Sequence, residues 1–268
     1  MRRQQGFTLT ELVMVIVILG IIAAISVRFI QFSTQGALDT ANRQRLALGA
    51  GVASEQVSRE LRSALPGSIR TSEGGECIEF FPIVAGSWYV DGADSFEPKR
   101  ALSEFQAVPF SRSTEQAIRV FIYPYAESDF PDGLYETGAE TRAGLGSVSG
   151  SGEERTVTLS SPHTFPEHSP QRRVTLTGDP VSFCRGTGTN SRYLFRYSGY
   201  GLNASGGRPS GGVREVVAMP LGDGPLIFSF IPPTRQRNGV VTFEFTLQSA
   251  DSEESLSVAQ EVQVRNVP

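Results

Sequence analysis

Few side chains in this 268-residue chain are placed to do chemistry, and the most unusual of them is a carboxylate. Glu11 is the only charge among the 24 residues between Arg3 and Arg28, and residues 12–25 are all apolar apart from Gly20. An ionised group deep in lipid costs on the order of 2.5–3.5 kcal/mol or more, so Glu11 needs a partner. The two thiols, Cys77 and Cys184, and the two imidazoles, His163 and His168, are spread along the chain. That spacing argues against a dedicated zinc or iron–sulfur site. Both histidines sit in the proline-rich stretch 161–170, with nothing nearby in sequence to activate a cysteine. Asp91, Asp94 and Glu97 offer three carboxylates but not the ligand pattern of a calcium loop, and they read as a solvated turn. Trp88 beside Tyr89 has the chemistry of a ligand platform, although a core aromatic pair is the preferred reading. No catalytic set, metal site or cofactor is expected, and the chain does not read as an enzyme.

The element that must hold Glu11 is a helix. At the standard rise, the 24 residues between the arginines extend ~36 Å, enough to cross a hydrocarbon layer of ~30 Å. Three readings compete. A secretory signal peptide would use the basic start, the apolar stretch and the small residues Ala24-Ile25-Ser26 as a cut site. A signal anchor needs only the apolar span. Neither accounts for Glu11.

The third reading comes from the residues themselves: a short basic leader ending in Gly6, then Phe7-Thr8-Leu9-Thr10-Glu11-Leu12, then the apolar run. This arrangement resembles the class III prepilin signal of the type IV pilin-like family. The resemblance implies that a membrane prepilin peptidase cuts between Gly6 and Phe7 and that Phe7 is N-methylated. It also implies that Glu11 sets the register between assembled subunits. The charges fit that role, because the ammonium created on Phe7 of one subunit can neutralise Glu11 of another within an apolar core. One departure stands out. Many major pilins have a proline where this chain has Arg28, and no proline occurs before Pro66, so no kink is expected there.

Past Arg28 the apolar pattern becomes amphipathic. Leu38, Ala41, Leu48 and Val52, followed by Val57, Leu61 and Ala64, predict a stripe facing a sheet. Pro66-Gly67 is a stop signal, so one helix is expected over residues 8–65. Strand periodicity follows at 77–84, 117–125, 155–160, 181–185, 192–200, 214–219, 226–231, 240–248 and 256–264. Residues 144–152 and 205–212 are glycine-rich and read as solvated loops, and 248–255 as the connection of a final hairpin. The expected fold class is α+β, a long N-terminal helix packed on a mainly antiparallel β-sheet head. The membrane topology puts Cys77 and Cys184 outside the cytoplasm, where an even count favours one disulfide over two separate buried thiols.

Twenty-four basic residues against 28 acidic ones give a formal charge of −4 and a pI near 5.4, which excludes a generally nucleic-acid-binding surface. Lys99 is the sole lysine, so the surface is arginine-dominated without a basic run. The ending 240–268, and Phe183-Cys184 followed by residues 192–200, resemble large minor pilins. Within that family they are most similar to the O-type minor pilins of mannose-sensitive haemagglutinin (MSHA) pili, akin to W-type minor pilins and J-type minor pseudopilins. The resemblance divides the chain into a leader (1–6), a transmembrane and filament-core helix (7–28), its amphipathic continuation (29–65) and a β-rich head (66–268). It implies a single-pass inner-membrane precursor with a cytoplasmic N-terminus and periplasmic head, later moving to a pilus at the cell surface. The implied partners are prepilin peptidase, other major and minor pilins, the inner-membrane assembly platform and membrane lipid. Two alternatives remain open on sequence: a minor pseudopilin of a type II secretion system, and a tip adhesin that binds a surface ligand.

Overall fold

The structure, a computed structural model, describes residues 8–90, 96–128, 130–233, 237–249 and 254–264. Helix α1, Leu9–Arg62, runs unbroken through Gly20 for 54 residues. Fourteen strands follow among the described residues: β1 Arg70–Ser72, β2 Cys77–Phe80, β3 Ile83–Trp88, β4 Ala101–Ala107, β5 Arg119–Phe121, β6 Arg142–Ser149, β7 Arg155–Thr164, β8 Arg173–Thr177, β9 Val181–Arg185, β10 Leu194–Ser198, β11 Val213–Ala218, β12 Ile227–Ile231, β13 Gly239–Gln248 and β14 Ser255–Val264. All named pairings are antiparallel, so the chain is α+β. Two compact units divide the chain, Met1–Leu48 and Gly49–Pro268.

In the first unit every side chain from residue 8 to 41 is exposed, including the whole apolar run. The helix is long and apolar enough to cross a membrane.

In the second unit the last turns of α1 bury Ala50, Ala53, Val57 and Leu61, while Val52 is 67% exposed. The predicted stripe holds at Val57, Leu61 and Ala64 and is corrected before them, at Leu38, Ala41, Leu48 and Val52, which are exposed. Leu48 and Val52 lie on the open side of the helix, and the buried row is displaced around it through Ala50 and Ala53. Beside that row a Cβ on Gly49 would make ordinary van der Waals contact, at 3.7 Å, with the Leu247 side chain of β13. The helix ends at Arg62 rather than residue 65. Pro66 supplies no amide hydrogen and disfavours helical geometry at Leu65, which is extended and donates its N–H to Phe81 O at 2.8 Å. Glu60 anchors this end of the helix, receiving both of its bonds from Arg196 Nε on β10 at 2.9 Å.

Among the described residues the head contains three sheets. One has the order β1-β2-β9-β10-β11, a second β12-β13-β14, and a six-stranded third runs β3-β8-β5-β6-β7-β4. The two ends of the third sheet meet at an antiparallel bridge between Tyr89 and Ala107, flanked by Val90 N–H to Gln106 O and Val108 N–H to Trp88 O. The strands thus close into a small barrel. Its inside holds Phe105, Val120, Val157, Leu159, Val174 and Leu176, contributed by four of its strands. The final hairpin pairs Gln248 with Ser255, as the sequence pattern predicts.

Several strand boundaries differ from expectation. The run 77–84 is split at Phe81-Pro82, because β2 belongs to the five-stranded sheet and β3 to the barrel. The run 117–125 shrinks to β5, since Tyr123 takes φ 45° and Pro124 follows. Most instructive is 144–152, expected as a loop. Residues through Ser149 form β6, and a Cβ on Gly146 would come within 3.1 Å of the Thr158 and Leu159 carbonyls of β7. The glycines there serve a close strand crossing at a bulge, which overrides their low strand propensity.

The barrel is an insertion between β2 and β9, which are themselves neighbours, and a buried charge cluster packs at its neck. Arg70 gives Nε and Nη2 bonds of 2.9 and 2.6 Å to Glu79 Oε2, and an Nη1 bond of 2.9 Å to Asp132, a residue of the insertion. Its guanidinium lies 3.7 Å from the ring centre of Tyr135, also in the insertion, and it donates to the carbonyls of Asn203 and Ala204. Glu79 Oε1 receives the Tyr200 hydroxyl at 2.8 Å. Burial pushes the Glu79 carboxyl above the usual range, with Arg70 opposing. Burial also works against the Arg70 charge, but Glu79 and Asp132 outweigh it and the guanidinium is held more firmly protonated.

Truncating Arg70 strands Glu79 in a dry site. Arg70→Met should destabilise the head by about 3–5 kcal/mol in urea unfolding followed by near-ultraviolet circular dichroism, and the double variant Arg70→Met, Glu79→Leu should recover most of that loss. The single variant should regain stability on acidification. A carboxyl whose folded pKa is raised contributes stability below its unfolded value and loses it as pH rises through the folded one.

Candidate functional site

The sequence-predicted site residues fall at two separate places. Gly6 and Phe7 lie outside the described residues. Glu11 sits in the first turn of α1, where the helix presents unpaired amide hydrogens and the positive end of its dipole. Its Oε2 accepts the backbone N–H of Thr8 at 3.0 Å and the Thr8 hydroxyl at 2.8 Å. In return, Thr8 Oγ1 accepts the Glu11 amide at 3.4 Å. This is a capping box, with threonine just before the helix and glutamate three residues on. Thr8 is the capping partner that reading Glu11 alone passes over, although the signal, Thr8-Leu9-Thr10-Glu11, is present in the sequence. The arrangement fixes the carboxylate at the helix start without a cation. A cation arriving there meets an oriented anion whose rotamer entropy is already spent.

The second place is the neck of the barrel. Cys77 and Cys184 are direct cross-strand partners on β2 and β9, with Cα atoms 4.2 Å apart, and are joined by a disulfide. Phe195 and Tyr197 pack over it, flanked by Tyr193 and Tyr200. The covalent loop encloses the whole barrel, from β3 to β8.

The remaining candidates do not converge. His163 Nε2 meets Glu140 O at 2.7 Å, and His168 Nδ1 lies 3.3 Å from the Tyr89 hydroxyl. Neither imidazole approaches the cysteines, which are bonded to each other. Asp91 and Asp94 lie outside the described residues, and Glu97 pairs with Arg100 at 3.3 Å. Among the described residues no three His, Cys, Asp or Glu side chains gather to hold a metal ion. The aromatic pair is corrected: Tyr89 is buried in the barrel at 2%, but Trp88 is 51% exposed on the outside. Alternation along β3 forces that split, since neighbouring residues point to opposite faces.

Comparison with known proteins adds one finding. Residues 1–27 match the family model of the prokaryotic N-terminal methylation motif. No curated protein and no solved structure matches the chain. The match covers the segment that contains Gly6, Phe7, Thr8 and Glu11, and it supports a type IV pilin-like or pseudopilin-like subunit.

The cross-strand bridge generates a prediction. Replacing both cysteines by alanine should cost about 4–5 kcal/mol in the chain-entropy picture for a loop of this size, read as a lower urea midpoint. An unchanged midpoint would mean that the thiols are not bonded in the native protein.

Proposed function

We propose that this chain is a minor pilin of a type IV, MSHA-type pilus, a structural subunit whose work is non-covalent. The observation that carries the reading is the methylation-motif match over residues 1–27, on a chain whose helix α1 is long and apolar enough to span a membrane. In this reading the precursor is a single-pass inner-membrane protein with its short N-terminus in the cytoplasm and its head in the periplasm. Prepilin peptidase hydrolyses the Gly6–Phe7 bond and the new Phe7 amine is methylated. The cleavage removes Arg2 and Arg3 but leaves the entire apolar helix attached.

Extraction from the membrane then needs a neighbour. Glu11, held at the helix start by Thr8, takes the Phe7 ammonium of another subunit, so that both charges enter the filament core neutralised. The open side of α1, with Leu48 and Val52 exposed, offers apolar surface to adjacent helices. The head, enlarged by an inserted barrel, suits a priming or tip position, where a bulky domain need not be surrounded. Its partners are other major and minor pilins and the inner-membrane assembly platform. The same motif match supports a minor pseudopilin of a type II secretion system, which differs in the partners it meets.

The N-terminal peptide of membrane-extracted protein, read by mass spectrometry, should begin at methylated Phe7, and that form should disappear in cells lacking the peptidase. An intact Met1 in both strains, or a start at Val27, would sink the filament mechanism. Glu11→Gln should be processed normally, with an unchanged head, yet enter filaments on the order of a hundredfold less, because it leaves an ammonium unpaired in the core. Equal incorporation of the variant, quantified by immunoblot of sheared pili, would remove the register role.

A further inference from the structure

We infer that the outer face of the barrel, along β3, is a binding groove for an acidic polysaccharide, a chain of pyranoses bearing carboxylates. The inference rests on the second compact unit alone, the end of α1 included, and stands whether or not the chain enters a filament. Two adjoining depressions form the groove, one of about 380 Å³ and one of about 510 Å³. They share Arg62 and Gly86 in their walls; the first adds Trp88 and Arg173, the second Arg59 and Arg112. Four guanidinium groups thus line one continuous trough on a protein whose formal charge is −4. Among the described residues neither wall includes a carboxylate. The nearest counter-ion to these arginines is Glu55, 3.8 Å from Arg62 with both side chains more than half exposed, which neutralises little.

The register places the recognition elements side by side. Trp88 of β3 pairs directly with Arg173 of β8, and Gly86 with Thr175, so the four lie on the same outward face. The indole is 51% exposed where a packed tryptophan would be covered, and it is the one tryptophan in the chain. Arg173 is half-buried, and its Nε–H, shielded from solvent, meets no acceptor among the described residues. Gly86 has no packing reason to lack a side chain, since the atom nearest a Cβ there would be Val174 O at 3.9 Å. Its effect is a stretch of sheet without a side chain two residues from the indole on the same face.

These features select the ligand. A pyranose presents an apolar face to an indole, and its carboxylate suits the planar fork of a guanidinium. Single-stranded nucleic acid would want successive aromatic platforms, one for each of several bases, and among the described residues only one aromatic side chain lines this trough. An acidic peptide would use the arginines but leave Trp88 idle.

Because Trp88 is unique, its emission reports on the groove directly. The full-length chain in detergent micelles should show a saturable change in tryptophan emission on titration with octagalacturonate, weakening as salt is added. The methyl-esterified oligomer, uncharged but the same shape, should bind about tenfold more weakly or worse. Arg173→Gln removes a guanidinium, and Gly86→Val fills that stretch with a residue that strands favour; each should weaken binding by about tenfold while the thermal midpoint holds. The proposal is overturned by an emission that does not respond, by equal binding of the methyl ester, or by tighter binding of oligothymidylate or oligoglutamate. It is equally overturned if Gly86→Val keeps both its fold and full binding.

Discussion

The pairing of β2 with β9 is the constraint on which the head depends. Between these adjacent strands the chain leaves the five-stranded sheet, builds a closed six-stranded barrel, and returns. Ordering so long a loop has a large conformational cost, and the junction gathers the interactions that offset it. The disulfide joins the two strands at one end of their shared register, and at the other Phe80 faces Val181. Arg70 and Glu79 fill the space where the insertion folds back, with Tyr135 donating its hydroxyl to Ser68 O at 2.5 Å. Phe81, next to the point of departure, packs against Phe121 and Tyr135 of the insertion. The neck is therefore both covalently closed and densely packed, which makes the barrel part of one unit with the sheet rather than a tethered domain.

Arginine carries much of this long-range stitching. Arg196 reaches Glu60 of the helix and Glu215 of a neighbouring strand, Arg208 reaches Glu73 and the Arg185 carbonyl, and Arg185 holds the carbonyls of Gly222 and Gly224. Each spans segments far apart in sequence, and each uses several donors of a planar fork, geometry that a lysine ammonium does not offer. The near absence of lysine thus acquires a physical meaning. The arginines of the β3 groove differ from these in having no such carboxylate clamps, which is why that surface stands out.

At the other end of the chain the problem is electrostatic. A carboxylate embedded in an apolar run is tolerated only if its interactions are prepared in advance. The Thr8–Glu11 box satisfies amide hydrogens at the helix start and keeps the carboxylate oriented, so one short segment both initiates the helix and fixes its one acidic side chain. The segment works locally, which is why it is recognisable over so few residues.

That locality also decides what could be read from the sequence. The membrane-length helix, the motif around Gly6, Phe7 and Glu11, the stop before Pro66 and the final hairpin are set by nearest-neighbour chemistry: hydropathy, periodicity and turn residues. The cysteines could be named as a pair by count and compartment, but not as direct neighbours on adjoining strands. Tertiary structure alone decided the rest. It broke the run 77–84 between two sheets, turned the glycines after Arg142 into a strand, and exposed Trp88 while burying Tyr89. It also moved the buried row of α1 around to Ala50 and Ala53. In each case the deciding partner lies across the fold: a β7 carbonyl, a bridge to Ala107, a sheet packed within reach of a glycine. The sequence records what each residue prefers, and only the closed barrel and its neck determine which preferences are met, because burial and close approach are properties of pairs of distant segments.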